Sequence, residues 1–147
     1  MADKGTTATI YFAGHEMFVG ITPSGHAQAI ETDSVRSSAA TPMELLLIAL
    51  GSCTGVDVIS ILKKQRQDVT DYRIEVKGER RDEFPRSYTR LEVKHIVRGH
   101  HVSEQALARA IELSDQKYCS VAATLRGTAE IVMTYEIEDE DRTNGPS

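Results

Sequence analysis

The sequence lacks the features that mark a membrane-spanning or exported chain. Its longest unbroken apolar run, residues 45–50, is six residues long, far short of the roughly 20 that a bilayer-spanning helix needs. The opening residues Met-Ala-Asp-Lys-Gly contain no apolar core of a secretory signal. We therefore expect no membrane partner and a cytoplasmic location, where thiols stay mostly reduced.

Positive charge and nucleotide-binding motifs are also scarce. Lys and Arg number 17 against 22 Asp and Glu, a formal net charge of −5, and no basic block offers an electrostatic footprint for nucleic acid. The sequence has no glycine-rich phosphate loop and no Gly-x-Ser-x-Gly elbow. These absences argue against nucleic-acid binding, nucleotide chemistry and serine hydrolysis.

The sequence contains only two cysteines, Cys53 and Cys119, which lie 66 positions apart. There is no Cys-x-x-Cys or His-x-x-x-His pair, and His100-His101 is a lone doublet. We expect no metal and no cofactor, because zinc sites normally show such paired ligands. Two inert buried thiols remain one explanation of the cysteines, since Cys often packs as a small hydrophobe.

What is present is typical of one globular domain. The 147 residues are 40% hydrophobic and 27% charged, so we expect a single domain over 1–147 with a loose acidic tail from about residue 139. Alternation of apolar and polar residues predicts strands. The candidates are residues 7–13, 17–21 and 26–31 in an antiparallel meander, 72–77 and 91–98 in a hairpin, and 129–137 near the end.

A long helix is predicted to begin at Thr41-Pro-Met-Glu44, because this segment supplies an N-cap, a proline at the first helical position and a capping-box glutamate. Apolar residues then surround nearly its whole circumference over about 26 residues. A chain of this size can hardly cover such a helix by itself. We therefore predict a homodimer in which a second copy covers part of it.

Each cysteine lies at an informative position. Cys53 is inside this helix between Gly51 and Gly55, where each glycine costs about 1 kcal/mol relative to alanine. Either another helix packs closely there or a substrate or second thiol approaches Cys53. Asp57, one turn later, would disfavour a thiolate and is better explained as a partner for a cation or a water. Cys119 follows a second predicted helix, residues 103–117, just before the last strand.

The segment Thr41-Pro-Met-Glu-Leu-Leu-Leu-Ile-Ala-Leu-Gly-Ser-Cys53, together with Tyr118-Cys-Ser-Val-Ala-Ala-Thr-Leu125, resembles the OsmC/Ohr family of osmotically inducible and organic hydroperoxide resistance proteins. The resemblance implies an α+β fold with antiparallel sheets packed on two helices, a long buried central helix and an intertwined homodimer. It also implies a cofactor-free thiol peroxidase: Cys53 attacks the hydroperoxide, Cys119 resolves the sulfenic acid as a disulfide, and an external dithiol is the reductant.

The sequence departs from the hydroperoxide-reducing branch of that family in two supporting residues. The branch has a glutamate directly after the proline, whereas Met43 stands there and Glu44 comes one later. Nine residues separate Glu44 from Cys53, which places it on the opposite side of the helix unless a partner subunit presents it. The family's arginine has no counterpart in the first hairpin, and Arg36 is the candidate substitute.

Two other functions remain open from the sequence. The first is a redox-inactive dimeric module that binds a small apolar ligand in the pocket that the resemblance implies at the dimer interface. The second is a thiol redox sensor that signals by disulfide formation without efficient turnover.

Overall fold

The computed structural model describes residues 5–143, with side chains up to residue 141. The chain forms two compact units, Met1–Leu46 and Leu47–Ser147. The boundary falls near the start of the first helix, and the single-domain organisation stays a prediction.

The first unit contains a small antiparallel meander. Its strands are β1 (Thr9–Phe12), β2 (Met17–Ile21) and β3 (Ala27–Glu31), in the order β1-β2-β3. Gly14 and Gly25 have φ of +93° and +84° at the two turns, a conformation that glycine adopts without steric cost. The three strands are those predicted from the alternating pattern. β1 is exposed along its whole length.

Helix α1 (Pro42–Lys64) begins at the predicted capping box. The Thr41 N–H donates to Glu44 Oε1 at 3.0 Å, and the Glu44 N–H donates to Thr41 Oγ1 at 3.2 Å. The helix is 23 residues long, slightly shorter than expected. It ends because Arg66 adopts φ of +57°, while the Gln67 N–H bonds to Leu62 O at 3.0 Å in the manner of a Schellman motif.

The second unit is a three-stranded sheet with helices. Strands β4 (Asp68–Arg80), β5 (Tyr88–His100) and β6 (Glu130–Asp139) lie in the order β4-β5-β6. Between β5 and β6 come α2 (Glu104–Leu113), a π-helical turn (Ser114–Tyr118) and α3 (Ser120–Leu125), and a short α4 (Glu140–Thr143) follows β6. The core combines one face of α1 with α2 and β5, through Val58, Leu62, Val97, Leu107, Ala110 and Ile111.

Three expectations differ from this structure. The sheet is not purely antiparallel, because β6 runs parallel to β5 after a helical crossover. Cys119 does not lead directly into the last strand, since α3 intervenes. The tail is ordered further than predicted: Asp139 ends β6, and Glu140 accepts from Thr70 Oγ1 at 2.8 Å and pairs with Arg98 at 3.1 Å. The rest of that tail, 144–147, lies outside the described residues.

Helix α1 has one packed face and one open face. Its packed face includes Leu50, Val58 and Leu62, all fully buried, whereas Ile48 and Val56 are 60% and 67% exposed. By length and composition α1 is apolar enough to cross a membrane, with a mean hydropathy of 2.1 over its best window and 33% of that window buried. The core helix of a water-soluble protein can have the same length and composition. One face of α1 packs closely on β4.

Candidate active site

The fold brings the two cysteines together. Cys53 is half-buried in the middle of α1, and Cys119 is buried at the junction of the π-helical turn and α3. Both are free thiols within the described residues. The pKa of Cys119 is raised by its interactions with Cys53, so residues 66 positions apart in the sequence share one site.

Cys119 is held by backbone groups on both sides. Its N–H donates to Ser114 O at 2.8 Å, which closes the π-helical turn. Its Sγ accepts the Ala122 N–H at 3.3 Å, so that the thiol serves as the N-cap of α3. The sulfur therefore has a fixed direction in the structure.

Burial raises the pKa of Cys119 to about 11, although the Ala122 N–H acts in the opposite direction. Its interactions with the neighbouring Cys53 raise this pKa further. Cys119 is therefore a protonated thiol at neutral pH.

Strand β4 explains the two glycines beside Cys53. A Cβ on Gly55 would stand 2.6 Å from Ile74 Cδ1, and one on Gly51 would stand 3.0 Å from Val76 Cγ2. The close approach expected at these glycines is therefore made by a strand rather than by a helix. It fixes the rotation of α1, and with it the side of the helix on which Cys53 lies.

A hydrogen-bonded group of three side chains lies beside the cysteines. Thr54 Oγ1 is 2.9 Å from Ser114 Oγ, and Ser114 Oγ donates to Asp57 Oδ2 at 2.8 Å. Thr54 and Ser114 are fully buried, and Asp57 is half-buried. The sequence singled out Asp57 as a partner for a cation or a water, but its partner here is a serine. Thr54 and Ser114 were missed, since nothing in the sequence relates residues about 60 positions apart.

Two grooves flank Cys53 along α1. One, of about 390 Å³, is lined by Val56, Asp57, Ser60, Ile61, Lys64, Leu113 and Tyr118. The other, of about 360 Å³, is lined by Leu47, Ile48, Gly51, Ser52, Ile74 and Val76. Both linings include apolar side chains of the open face of α1.

The two supporting candidates each have a local partner in the first unit. Glu44 completes the capping box with Thr41. Arg36 Nε pairs at 3.2 Å with Glu31, a buried carboxylate that also accepts from Ser38 Oγ. Glu31 was not recognised from the sequence, because it looks there like the last residue of an ordinary strand.

His95 lies on the buried face of β5, as its alternation predicts. Its Nδ1 is 2.6 Å from Tyr72 Oη, and its Nε2 has no hydrogen-bond partner within residues 5–143. Burial lowers the pKa of His95 to about 4 and raises that of Tyr72. His95 is thus a neutral core residue. Across the same described residues, no group of three His, Cys, Asp or Glu could hold a metal ion.

A half-buried Cys53 and a buried Cys119 share one site on this α+β fold. The chain belongs to the family of OsmC-like proteins, whose model matches residues 35–135. This confirms the family and the α+β fold indicated by the sequence.

Individual relatives agree with this assignment. The chain is 42% identical to Protein YhfA of Escherichia coli strain K12 over 120 residues, which cover 82% of this chain and 89% of YhfA. A hypothetical protein from Aquifex aeolicus VF5 is 35% identical, with a TM-score of 0.83 over 94% of this chain and 99% of that one. An organic hydroperoxide resistance protein from Elizabethkingia anophelis shares the fold at 15% identity, with a TM-score of 0.67 over 93% and 99% of the two chains.

Proposed function

We propose that this protein is a thiol-dependent hydroperoxide reductase with Cys53 as the peroxidatic and Cys119 as the resolving cysteine. The observation that carries the proposal is the proximity of two free thiols, one half-buried and one buried with a raised pKa. Membership of the OsmC-like family supports it, as does the fold shared with a protein described as an organic hydroperoxide resistance protein.

The reaction needs three balanced steps. The Cys53 thiolate attacks the outer oxygen of ROOH, the O–O bond breaks, and Cys53 becomes a sulfenic acid, while the leaving alkoxide takes up the proton that the thiol released and departs as an alcohol. The Cys119 sulfur then attacks the sulfenic sulfur. The S–S bond forms, the S–O bond breaks, and the Cys119 proton leaves with the hydroxyl as water. An external dithiol reduces the disulfide by exchange and is itself oxidised to a disulfide. No metal or organic cofactor is needed.

The working form in this proposal is a cytoplasmic homodimer. In the second unit, the open face of α1 exposes Ile48 and Val56. In the first unit, β1 exposes Ile10, Tyr11 and Phe12 by 56–67%. Large exposed apolar side chains of this kind mark interaction sites, and a second copy would cover those of each unit. The apolar walls of the groove beside Gly51 favour organic hydroperoxides over hydrogen peroxide, because they bury the hydrocarbon part.

Arg36 and Glu44 enter the proposal as supporting residues from the sequence. Arg36 is the candidate cation for the Cys53 thiolate, and its ion pair with Glu31 limits its side-chain freedom. Glu44 has a structural role as the capping-box residue, and a role at the thiol site would require the partner subunit to present it.

The test is a single-turnover reaction with cumene hydroperoxide, followed by mass spectrometry and thiol counting. We expect the wild type to convert two thiols per chain into one intramolecular disulfide. Cys53→Ser abolishes peroxide consumption, whereas Cys119→Ser still oxidises at Cys53 but stalls as a sulfenic acid. Arg36→Ala slows the first oxidation and Glu44→Ala does not. Full multiple-turnover activity of Cys119→Ser with a dithiol would contradict the resolving role.

The second candidate is a redox-inactive module that binds a small apolar ligand. The groove beside Gly51, with Leu47, Ile48, Ile74 and Val76 in its lining, is the observation that favours it. An unreactive Cys53 in the folded protein, tested with a thiol reagent and with hydroperoxide, would support this alternative over the peroxidase.

A further inference from the structure

We propose that Asp57 is a positioning residue for the disulfide-forming step, acting on Cys119 through the hydroxyl and carbonyl groups of Ser114. The inference rests on the proposed peroxidase function and adds a residue to it. It starts from the buried hydrogen bonds that link α1, which carries Cys53, to the π-helical turn that ends at Cys119.

The direction of these hydrogen bonds follows from their chemistry. A carboxylate only accepts, so the single hydroxyl proton of Ser114 goes to Asp57 Oδ2 at 2.8 Å. Ser114 Oγ must then accept from Thr54, 2.9 Å away. The resulting chain runs from Thr54 through Ser114 to Asp57. It begins at the residue next to Cys53 and ends one helical turn further along the same helix.

Ser114 also fixes the backbone of the resolving cysteine. Its carbonyl accepts the Cys119 N–H at 2.8 Å across five residues, which is the π-type pattern found mostly as single turns at functional sites. In an α-helix this N–H would bond to the carbonyl of Asp115 instead. A shift of one residue turns the following chain by about 100° and would move Cys119 away from the side that faces Cys53.

Asp57 is thus the final acceptor of this chain of hydrogen bonds. Ser114 links the chain to the backbone of Cys119. The hydroxyl of Ser114 is fully buried, so without Asp57 it keeps Thr54 as its side-chain partner and loses one buried hydrogen bond, which is costly. The turn can then relax toward α-helical geometry. In this mechanism Asp57 acts on the second step through the hydrogen bond of its Oδ2 with Ser114.

The step that depends on this geometry is the second one. Cys119 must approach the sulfenic sulfur of Cys53 closely enough for the S–S bond to form as the S–O bond breaks and water leaves. When this step slows, a second hydroperoxide can transfer one oxygen atom to the waiting sulfenic acid, which becomes a sulfinic acid, while the O–O bond breaks and the remainder leaves as an alcohol. Attack of Cys53 on the first hydroperoxide does not involve Cys119.

The experiment compares Asp57→Ala with Asp57→Asn in the full-length protein. Each variant receives one equivalent of cumene hydroperoxide and is quenched at intervals for mass spectrometry of sulfenic acid, disulfide and sulfinic acid. We expect Asp57→Ala to slow disulfide formation about tenfold or more, the usual effect of losing a hydrogen bond to a charged group, with the first oxidation unchanged. Sulfinic acid accumulates under excess peroxide. Asp57→Asn, whose Oδ1 still accepts from Ser114, restores most of the rate.

Further variants separate positioning from electrostatics. Ser114→Ala is expected to slow the disulfide step as Asp57→Ala does, and the double variant is no slower than Ser114→Ala, because Asp57 acts through Ser114. If Asp57→Ala does not fold, Ser114→Ala makes the same test. Asp71→Ala, which removes an exposed carboxylate on β4, is the matched control and leaves both steps unchanged.

Two outcomes would overturn the inference. If Asp57→Asn and Asp57→Ala both speed up the first oxidation and leave the disulfide step alone, Asp57 acts as a charge on Cys53 and not as a positioning residue. If Cys53 oxidises normally and the disulfide forms equally fast in every variant, the inference is wrong while the proposed function stands. A wild type that is not oxidised at Cys53 overturns both.

Discussion

Gly51 and Gly55 illustrate how single residues position the Cys53 thiol. In the middle of α1, each of these glycines lowers helix stability by about 1 kcal/mol relative to alanine. In return β4 approaches so closely that its Ile74 and Val76 side chains occupy the space of the missing methyl groups. The small residues around Cys53 therefore serve helix-to-sheet packing, and the orientation of Cys53 follows from it.

This packing predicts a specific coupling between Gly55 and Ile74. Gly55→Ala places a methyl group 2.6 Å from Ile74 Cδ1, and we expect a net loss of about 1 kcal/mol of stability, since overpacking outweighs the gain in helix propensity. Ile74→Val alone costs about 1 kcal/mol through lost burial. The double variant should be at least as stable as Ile74→Val, because valine lacks Cδ1. Urea denaturation of the wild type, the two single variants and the double variant measures their free energies of unfolding. If the losses of the two single variants simply add in the double variant, the proposed contact is contradicted.

His95 gives a second prediction at this scale. Its folded pKa of about 4 lies below the ordinary value of 6.5, owing to burial. Between pH 6.5 and 4 the unfolded chain therefore binds a proton that the folded protein does not. Stability should fall by roughly 3 kcal/mol as the pH drops through this window, and the contribution of His95 should level off below it.

The test is the free energy of unfolding measured from pH 7 to pH 4. His95→Asn should be less stable at pH 7, because it shortens a buried side chain, but its acid dependence in this window should be flatter. His15→Asn, at an exposed position of β1–β2, is the control and should keep the wild-type slope. Equal slopes for His95→Asn and the wild type would show that His95 is not the titrating group.

At the scale of elements, the sequence predicted what depends on local chemistry. The capping box at Thr41 and Glu44 has the same partners in the structure as in the pattern, because a cap is decided within four residues. The strands of the meander follow from alternation and from two glycine turns. The family resemblance added the pairing of Cys53 with Cys119, which spacing alone could not establish.

Features that depend on distant contacts were missed. The alternation in β6 is the same for parallel and antiparallel pairing, so the pattern could not reveal that β6 runs parallel to β5. Helix α3 is only six residues long and too short for a clear helical period. The π-helical turn before Cys119 depends on Ser114, whose partners Thr54 and Asp57 come from α1. It is at this turn that two elements jointly determine where the second thiol lies.

At the scale of the whole molecule, the apolar surface of each unit bears on assembly. Val56 and Ile48 on α1 are more than half exposed, and so are Ile10, Tyr11 and Phe12 on β1. A long apolar helix with one open face is compatible with a membrane segment by composition, but its other face is packed against its own sheet. A second copy of the chain is the proposed cover, and a symmetric dimer would bury the same face twice.

Val56→Lys tests this assembly directly. Burying a valine side chain stabilises an interface by about 1.5–3 kcal/mol, and a two-fold interface carries the change twice. We therefore expect the dimer dissociation constant to rise by at least about 100-fold, with further loss from the buried ammonium group. Sedimentation velocity in detergent-free buffer measures it across a dilution series.

Val35→Lys makes the same substitution at a valine that is 92% exposed and should remain dimeric with the wild-type dissociation constant.

Because the proposed peroxide pocket lies at the interface, Val56→Lys should also weaken reduction of cumene hydroperoxide more than that of hydrogen peroxide, which has no hydrocarbon part to bury. A monomeric wild type, or a Val56→Lys dimer as tight as the wild type, would show that the open face of α1 is not the dimer interface.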